Sequence, residues 1–323
     1  MNRAYFTFAA VISLSVVLAG CSGKFRPDVF KDEMARPLAS DNWQKALSTQ
    51  STPDELAKAK KLFDNGKSRK CCKVIKKWLK KNPGSPHGDY ALFLQGMAFF
   101  DRALYYQSYL AYQDMLDMYG SSDLFVPALG AQMDIACRFL NGAKRIVWGF
   151  IPAGATTEGI TILEKIDQRW PGSDLAAAAL MRKGAYYFDC RKFLEAQHAY
   201  QTVVENYQKN PCYERAMLYN ARATHAQYMG SNYDTNCLAE ALIRYEQYCQ
   251  SFPEEAEKYK IRQQMQLIRI QQAGKEFAIA DFYWRTGKKQ AARKYWADIC
   301  RLYPETDWAA KAGKLLVKHS VKG

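Results

Sequence analysis

The sequence contains no apolar run of the ~18–20 residues that a membrane-spanning helix requires. It has four histidines and no C-x-x-C pair in 323 residues, which removes the common ligand sets of a structural zinc site. No H-E-x-x-H, phosphate-binding loop or nucleophile elbow occurs. Carboxylates are plentiful, yet no pair stands out, so no catalytic, cofactor-binding or metal-ligating residue is nominated and the expected mode of action is not enzymatic. Proline, at 11 residues, is too sparse for a Pro-rich fibre. What is present is a chain 48% hydrophobic and 24% charged, able to bury a core, and of a length that suits two ordinary domains or one elongated array.

The first residues read as an address. Arg3 precedes a short apolar stretch, Ala4 to Leu18, which ends in Leu18-Ala19-Gly20-Cys21. A short apolar segment closed by small residues is a secretory signal rather than a span. These four residues resemble the bacterial lipobox, which implies cleavage after residue 20, a diacylglyceryl thioether on Cys21 and palmitate-type acylation of its amine. Two or more acyl chains, at ~0.8 kcal/mol per buried CH₂, anchor stably. Ser22 follows, not Asp, so by resemblance to proteobacterial sorting the outer membrane, on its periplasmic face, is expected. Residues 21–53, with Gly23, Pro27, Pro37, Pro53 and the Ser48–Thr52 cluster, read as a lipidated tether holding at most a short helix around Asp41 to Leu47.

Residues 54–318 repeat. The turn signals are Asn82-Pro83-Gly84, Tyr119-Gly120-Ser121, Trp170-Pro171-Gly172, Tyr207-Gln208, Phe252-Pro253-Glu254 and Tyr303-Pro304-Glu305. Twelve residues before the second position of each stand Cys71, Ser108, Gly159, Ala196, Ala241 and Ala292, all small. Eight residues before it stand Ile75, Tyr112, Leu163, Tyr200, Tyr245 and Trp296, all bulky. Four units extend upstream: Ala59, Gly96, Gly184 and Ala280 are small, and Leu62, Phe99, Tyr187 and Tyr283, three residues on, are bulky. Antiparallel helices approach closely only at small residues, and bulky neighbours fill the space beside them. These offsets resemble the tetratricopeptide repeat and imply an all-α, right-handed solenoid of five to six helix pairs with a concave groove.

The spacing is uneven. Two insertions are expected, a Gly-rich loop over residues 141–154 carrying Trp148, Phe150 and Ile151, and a loop near Met229 to Asp234. No proline lies between Glu254 and Arg285, which predicts one continuous helix of about 30 residues, roughly 45 Å long. Trp148, Phe150, Ile151 and Trp308 look free to anchor a partner. Lys73, Lys76, Lys77, Lys80 and Lys81 share one side of a helix whose other side is Val74, Ile75, Trp78 and Leu79. That basic side reads either as a solvated face or as a surface for anionic head groups; export argues against nucleic acid as a partner. Cys190 with Cys237, and Cys212 with Cys249, are conceivable pairs that spacing alone does not establish, while Cys71, Cys249 and Cys300 fall at core positions.

Phe277-Ala278-Ile279-Ala280-Asp281-Phe282-Tyr283-Trp284-Arg285-Thr286-Gly287, then Ala291-Ala292 and Arg301-Leu302-Tyr303-Pro304-Glu305-Thr306, are similar to the last repeat of the BamD family. With the lipobox and tether, the chain resembles that family over about residues 54–318. The resemblance implies a scaffold of the outer-membrane β-barrel assembly machinery. Such a scaffold binds the barrel-inserting subunit and other assembly lipoproteins, and reads C-terminal segments of unfolded outer-membrane proteins. The family's partner-contacting basic position falls near Gln271, with Arg269 the nearest cation. Arg269, Lys275 and Arg285 therefore join Trp148 and Phe150 as candidate partner-binding residues. The alternative is a periplasmic repeat lipoprotein acting as an adaptor for envelope or division complexes; a helical accessory domain of an envelope enzyme is a third reading. No cofactor is expected.

Overall fold

The computed structural model describes residues 52–147, 151–230 and 236–320. Cys21, the signal peptide, most of the tether, Trp148 and Phe150 lie outside them. The elements are α1 (Asp54–Asp64), α2 (Ser68–Lys81), α3 (Gly88–Asp101), α4 (Tyr105–Met118), α5 (Phe125–Leu140), β1 (Lys144–Val147), β2 (Ile151–Gly154), α6 (Thr156–Arg169), α7 (Asp174–Asp189), α8 (Phe193–Asn206), α9 (Tyr213–Ala226), α10 (Asn236–Ser251), α11 (Pro253–Lys258), α12 (Ile261–Arg285), α13 (Lys289–Leu302) and α14 (Asp307–Ser320). Each long helix packs on its sequence neighbour, giving the pairs α1/α2, α3/α4, α5/α6, α7/α8, α9/α10 and α12/α13, with α14 laid on the last pair. Burial is divided along the stack. One apolar cluster runs from α1 to α7, another joins α9, α10 and the start of α12, and a third joins the end of α12 to α13 and α14. That is the expected organisation of a solenoid, in which a repeat touches mainly its neighbours.

The small–bulky offsets are packing contacts. Cys71, Ser108, Ala196, Ala241 and Ala292 are fully buried, as are the bulky residues four positions on. A Cβ added at Gly96 would stand 2.6 Å from the Tyr112 ring, and one at Gly184 would meet the Tyr200 ring at the same distance. The Ser108 hydroxyl donates to the Gly96 carbonyl at 2.7 Å, closing the same crossing with a hydrogen bond. The bulky residues three positions after the upstream small ones are half-buried and stand near the end of the first helix in four of the six pairs. The carbonyls of Leu62, Phe99, Tyr187 and Tyr283 accept the N–H groups of Lys67, Leu104, Lys192 and Lys288. This is the six-to-one bond of a Schellman cap, which needs a left-handed residue just before the donor. Gly66, Ala103, Arg191 and Gly287 supply it.

The structure adds to the expected architecture in one place and corrects it in another. The 141–154 insertion is not a loop alone but an antiparallel hairpin, β1 pairing β2 with Val147 opposite Ile151 and Lys144 opposite Gly154. It lies between the two helices of the third pair, which accounts for the long spacing there. Arg145 pins it, pairing with Glu158 of α6 at 2.8 Å and lying over the Tyr106 ring of α4. The continuous 30-residue helix is broken: Lys260 is left-handed (φ 54°), and α11 and α12 flank it. Ala256 and Ile261 are both buried in one cluster, yet five residues of unbroken helix would set them ~140° apart. The break brings both inward. The remaining α12 has 25 residues and is about 38 Å long.

Candidate partner-docking surface

α12 is a long element only half covered by its neighbours. Ile261, Ile268, Ala273 and Ala280 are buried. On the uncovered side Leu267, Ile270 and Phe282 stay 44%, 38% and 55% exposed. The arginines nearest in sequence face another way: at ~100° per residue Arg262 and Arg269 lie ~80–160° around the helix from Leu267 and Ile270. Arg262 and Arg269, with Met265, Gln266 and Glu305, line an open depression of about 360 Å³. The Arg269 guanidinium faces the Glu305 carboxylate at 3.3 Å, while half of its side chain remains in solvent.

The expected partner residues do not converge. Arg269 borders this depression. Arg285, at the far end of α12, pairs with Asp281 at 3.0 Å; sixteen residues of helix, roughly 24 Å, separate it from Arg269. Lys275 is half-buried between them. Trp148 and Phe150 lie outside the described residues, whereas Ile151 on β2 is 40% exposed. Trp308 is not free: its indole packs against Phe277, under Lys311 and over Gly274, inside the C-terminal cluster. Sequence reasoning nominated the cations of α12 but missed Leu267, Ile270 and Phe282. Their signal was a helix apolar on more than one side, which a single core face does not explain.

No disulfide joins any two of the eight described cysteines, Cys190, Cys212, Cys237 and Cys249 included. Burial pushes the Cys71 thiol up to about 12, so it stays neutral and packs as a small apolar side chain. A second depression, of about 490 Å³, lies at the turns around Gly172, Asp174 and Tyr207 to Asn210. Among the described residues no group of three or more His, Cys, Asp or Glu side chains is placed to hold a metal ion, and no helix is long and apolar enough to cross a membrane.

Comparison with known proteins places these features. The model of the YfiO family, described as outer membrane lipoprotein, matches residues 151–321, just over half of the chain. The chain belongs to this family, the BamD family. The matched span begins at β2 and takes in α12 with its exposed face. No curated protein matches the chain. Among solved structures, the C-terminal part of a tetratricopeptide-repeat protein from Cytophaga hutchinsonii is 18% identical, covering 88% of this chain and 92% of that one, with a TM-score of 0.40. A tetratricopeptide-repeat protein from Parabacteroides merdae is 12% identical over 84% and 98%, with a TM-score of 0.37. MamA from Desulfovibrio magneticus is 12% identical over 62% and 96%, with a TM-score of 0.34. The helix-pair architecture rests on the packing described above, not on these loose superpositions.

Proposed function

We propose that this outer-membrane lipoprotein is a scaffold of β-barrel assembly, held by lipid on Cys21 at the periplasmic face, with residues 1–20 removed and 21–53 serving as the tether. It acts by binding, without chemistry of its own. α12 docks the periplasmic part of the barrel-inserting subunit, and the first helices of successive pairs receive C-terminal segments of unfolded barrel proteins. The observation that carries this reading is the exposed Leu267, Ile270 and Phe282 on α12, with the arginine-lined depression at Arg262 and Arg269 on another side of the same helix, within the span that matches the family. Exposed apolar side chains and arginines on one element match the composition of protein interfaces.

The test is photo-crosslinking in cells from residues 267 and 282, followed by purification of the adducts. The barrel-inserting subunit is the expected adduct from both positions. Enrichment of other envelope proteins in its absence overturns the assembly role and favours the adaptor reading. Loss of membrane attachment in a Cys21→Ser chain checks the anchor separately.

A further inference from the structure

Of the fourteen described helices, α2 alone carries no aspartate or glutamate. Its seven cations, Arg69, Lys70, Lys73, Lys76, Lys77, Lys80 and Lys81, are all exposed, while Cys71, Cys72, Ile75 and Trp78 turn inward. Among the described residues no carboxylate pairs with any of the seven, whereas Arg145, Lys183, Arg244, Arg269, Arg285 and Arg301 elsewhere each have one. Residues 58–81 hold eleven cations against a single acid, Asp64, and so supply ten of the fourteen excess positive charges of the chain. Lys73 with Lys77, Lys76 with Lys80, and Lys77 with Lys81 are like charges one turn apart, an arrangement that works against the helix. The buried side of α2 offsets this repulsion, and an opposing anionic surface would relieve it.

We propose that the cationic face of α2 lies against anionic lipid head groups of the bilayer. The face is a row about 18 Å long from residue 69 to 81, and neither depression described above is lined by any of its residues. None of the large exposed apolar residues belongs to α2, and lysine is depleted from protein interfaces, so a plane of separate negative charges fits it better than an acidic protein. α2 also sits in the first helix pair. Asp54, where that pair begins, stands 33 positions after Cys21 in the sequence. The lipid anchor of the preceding section is used here for proximity alone, and the binding is measured without it.

The experiment uses the full chain carrying Cys21→Ser, with vesicles of phosphatidylcholine alone and of phosphatidylcholine mixed with phosphatidylglycerol. Sedimentation with the mixed vesicles, weakening as salt rises, is expected. Substituting Lys73, Lys76, Lys77, Lys80 and Lys81 together by Gln lowers affinity for the mixed vesicles more than about a hundredfold, at roughly fivefold per lysine. The control, Lys144, Lys209, Lys294, Lys314 and Lys318 all to Gln, changes the net charge equally and keeps most of the binding; these residues are also exposed. Circular dichroism verifies that both variants are folded. Equal loss in both, or sedimentation that does not depend on phosphatidylglycerol, overturns the proposal, whatever acidic protein the chain retains. If Cys21 carries no lipid in cells while the phosphatidylglycerol dependence persists, the anchor reading fails and this one stands.

Discussion

The Tyr119 hydroxyl, just past the end of α4, donates to the Ser85 carbonyl at 3.0 Å, one repeat earlier in the chain. The same side chain crosses Gly88 so closely that a Cβ there would overlap the hydroxyl. Tyr207 is the counterpart past α8. Its hydroxyl donates to Asp167 at 2.6 Å and accepts the Gly172 N–H at 3.3 Å, and burial, followed by the Asp167 carboxylate, pushes it up to about 12. Each tyrosine thus joins the turn closing one helix pair to the turn closing the pair before.

Gly88→Ala is therefore expected to destabilise by about 1–3 kcal/mol, the range for overpacking a filled site. Tyr119→Phe is expected to cost about 1 kcal/mol, the net value of one hydrogen bond. Urea unfolding of Gly88→Ala in a Tyr119→Ala background checks the assignment. The glycine substitution should become nearly neutral there, because the ring it collides with is gone. An undiminished penalty would place the strain elsewhere.

The left-handed turn residues give a prediction whose sign depends on position. Ala103 (φ 54°) and Arg191 (φ 59°) hold a conformation that Gly66 and Gly287 adopt without a Cβ. The left-handed form costs a non-glycine residue about 1–2 kcal/mol, against about 0.5–1 kcal/mol for the greater freedom glycine loses on folding. Ala103→Gly and Arg191→Gly should each stabilise by about 0.5–1 kcal/mol, and Gly66→Ala and Gly287→Ala should each destabilise. Denaturant midpoints for the four variants test the set; a uniform sign would show that the turns do not share one geometry.

How far the sequence revealed this molecule follows from which contacts leave a fixed spacing. Gly96 against Tyr112 and Gly184 against Tyr200 are close helix crossings, so their partners recur at fixed offsets and the helix pairs were legible. The hairpin was not, because four-residue strands with Gly149 and Gly154 in or beside them look like any Gly-rich loop. The break at Lys260 was invisible because neither proline nor glycine marks it; only the phase change between Ala256 and Ile261 does. Trp308 looked like an anchor because the sequence does not tell that Gly274 opens a space for its indole. On α12, charge drew attention to Arg269, Lys275 and Arg285, while the exposure of Leu267, Ile270 and Phe282 depends on what the neighbouring helices leave uncovered.

Lys260 offers a direct test of the broken helix. If residues 253–285 formed one helix, Lys260→Gly would cost about 1 kcal/mol as an interior glycine. With Lys260 left-handed between α11 and α12, the same substitution should instead stabilise by up to about 1 kcal/mol. The change in thermal midpoint decides between the two by its sign.

His225 gives the fold an acid sensitivity of predictable direction. Its Nε2 lies 3.0 Å from the Gln271 side-chain oxygen and its ring stands edge-on to Tyr245, joining α9 to α10 and α12. Burial lowers the His225 pKa, and the Gln271 hydrogen bond only partly opposes this. The folded chain therefore holds the ring neutral at pH values where the unfolded chain, with a histidine pKa of about 6.5, has begun to bind a proton. The stability this residue contributes is complete above about pH 6.5, drains as pH falls below that value, and levels off once the folded-state pKa is passed. Asp134, whose carboxyl burial raises, acts in the opposite direction as pH falls toward its own range, so the effect must be read as a difference. Urea midpoints of the parent and of His225→Gln, compared from about pH 7.5 down to about pH 5, should converge as the solution is acidified. A gap between them that stays constant over that range would mean that His225 does not stay neutral in the folded protein.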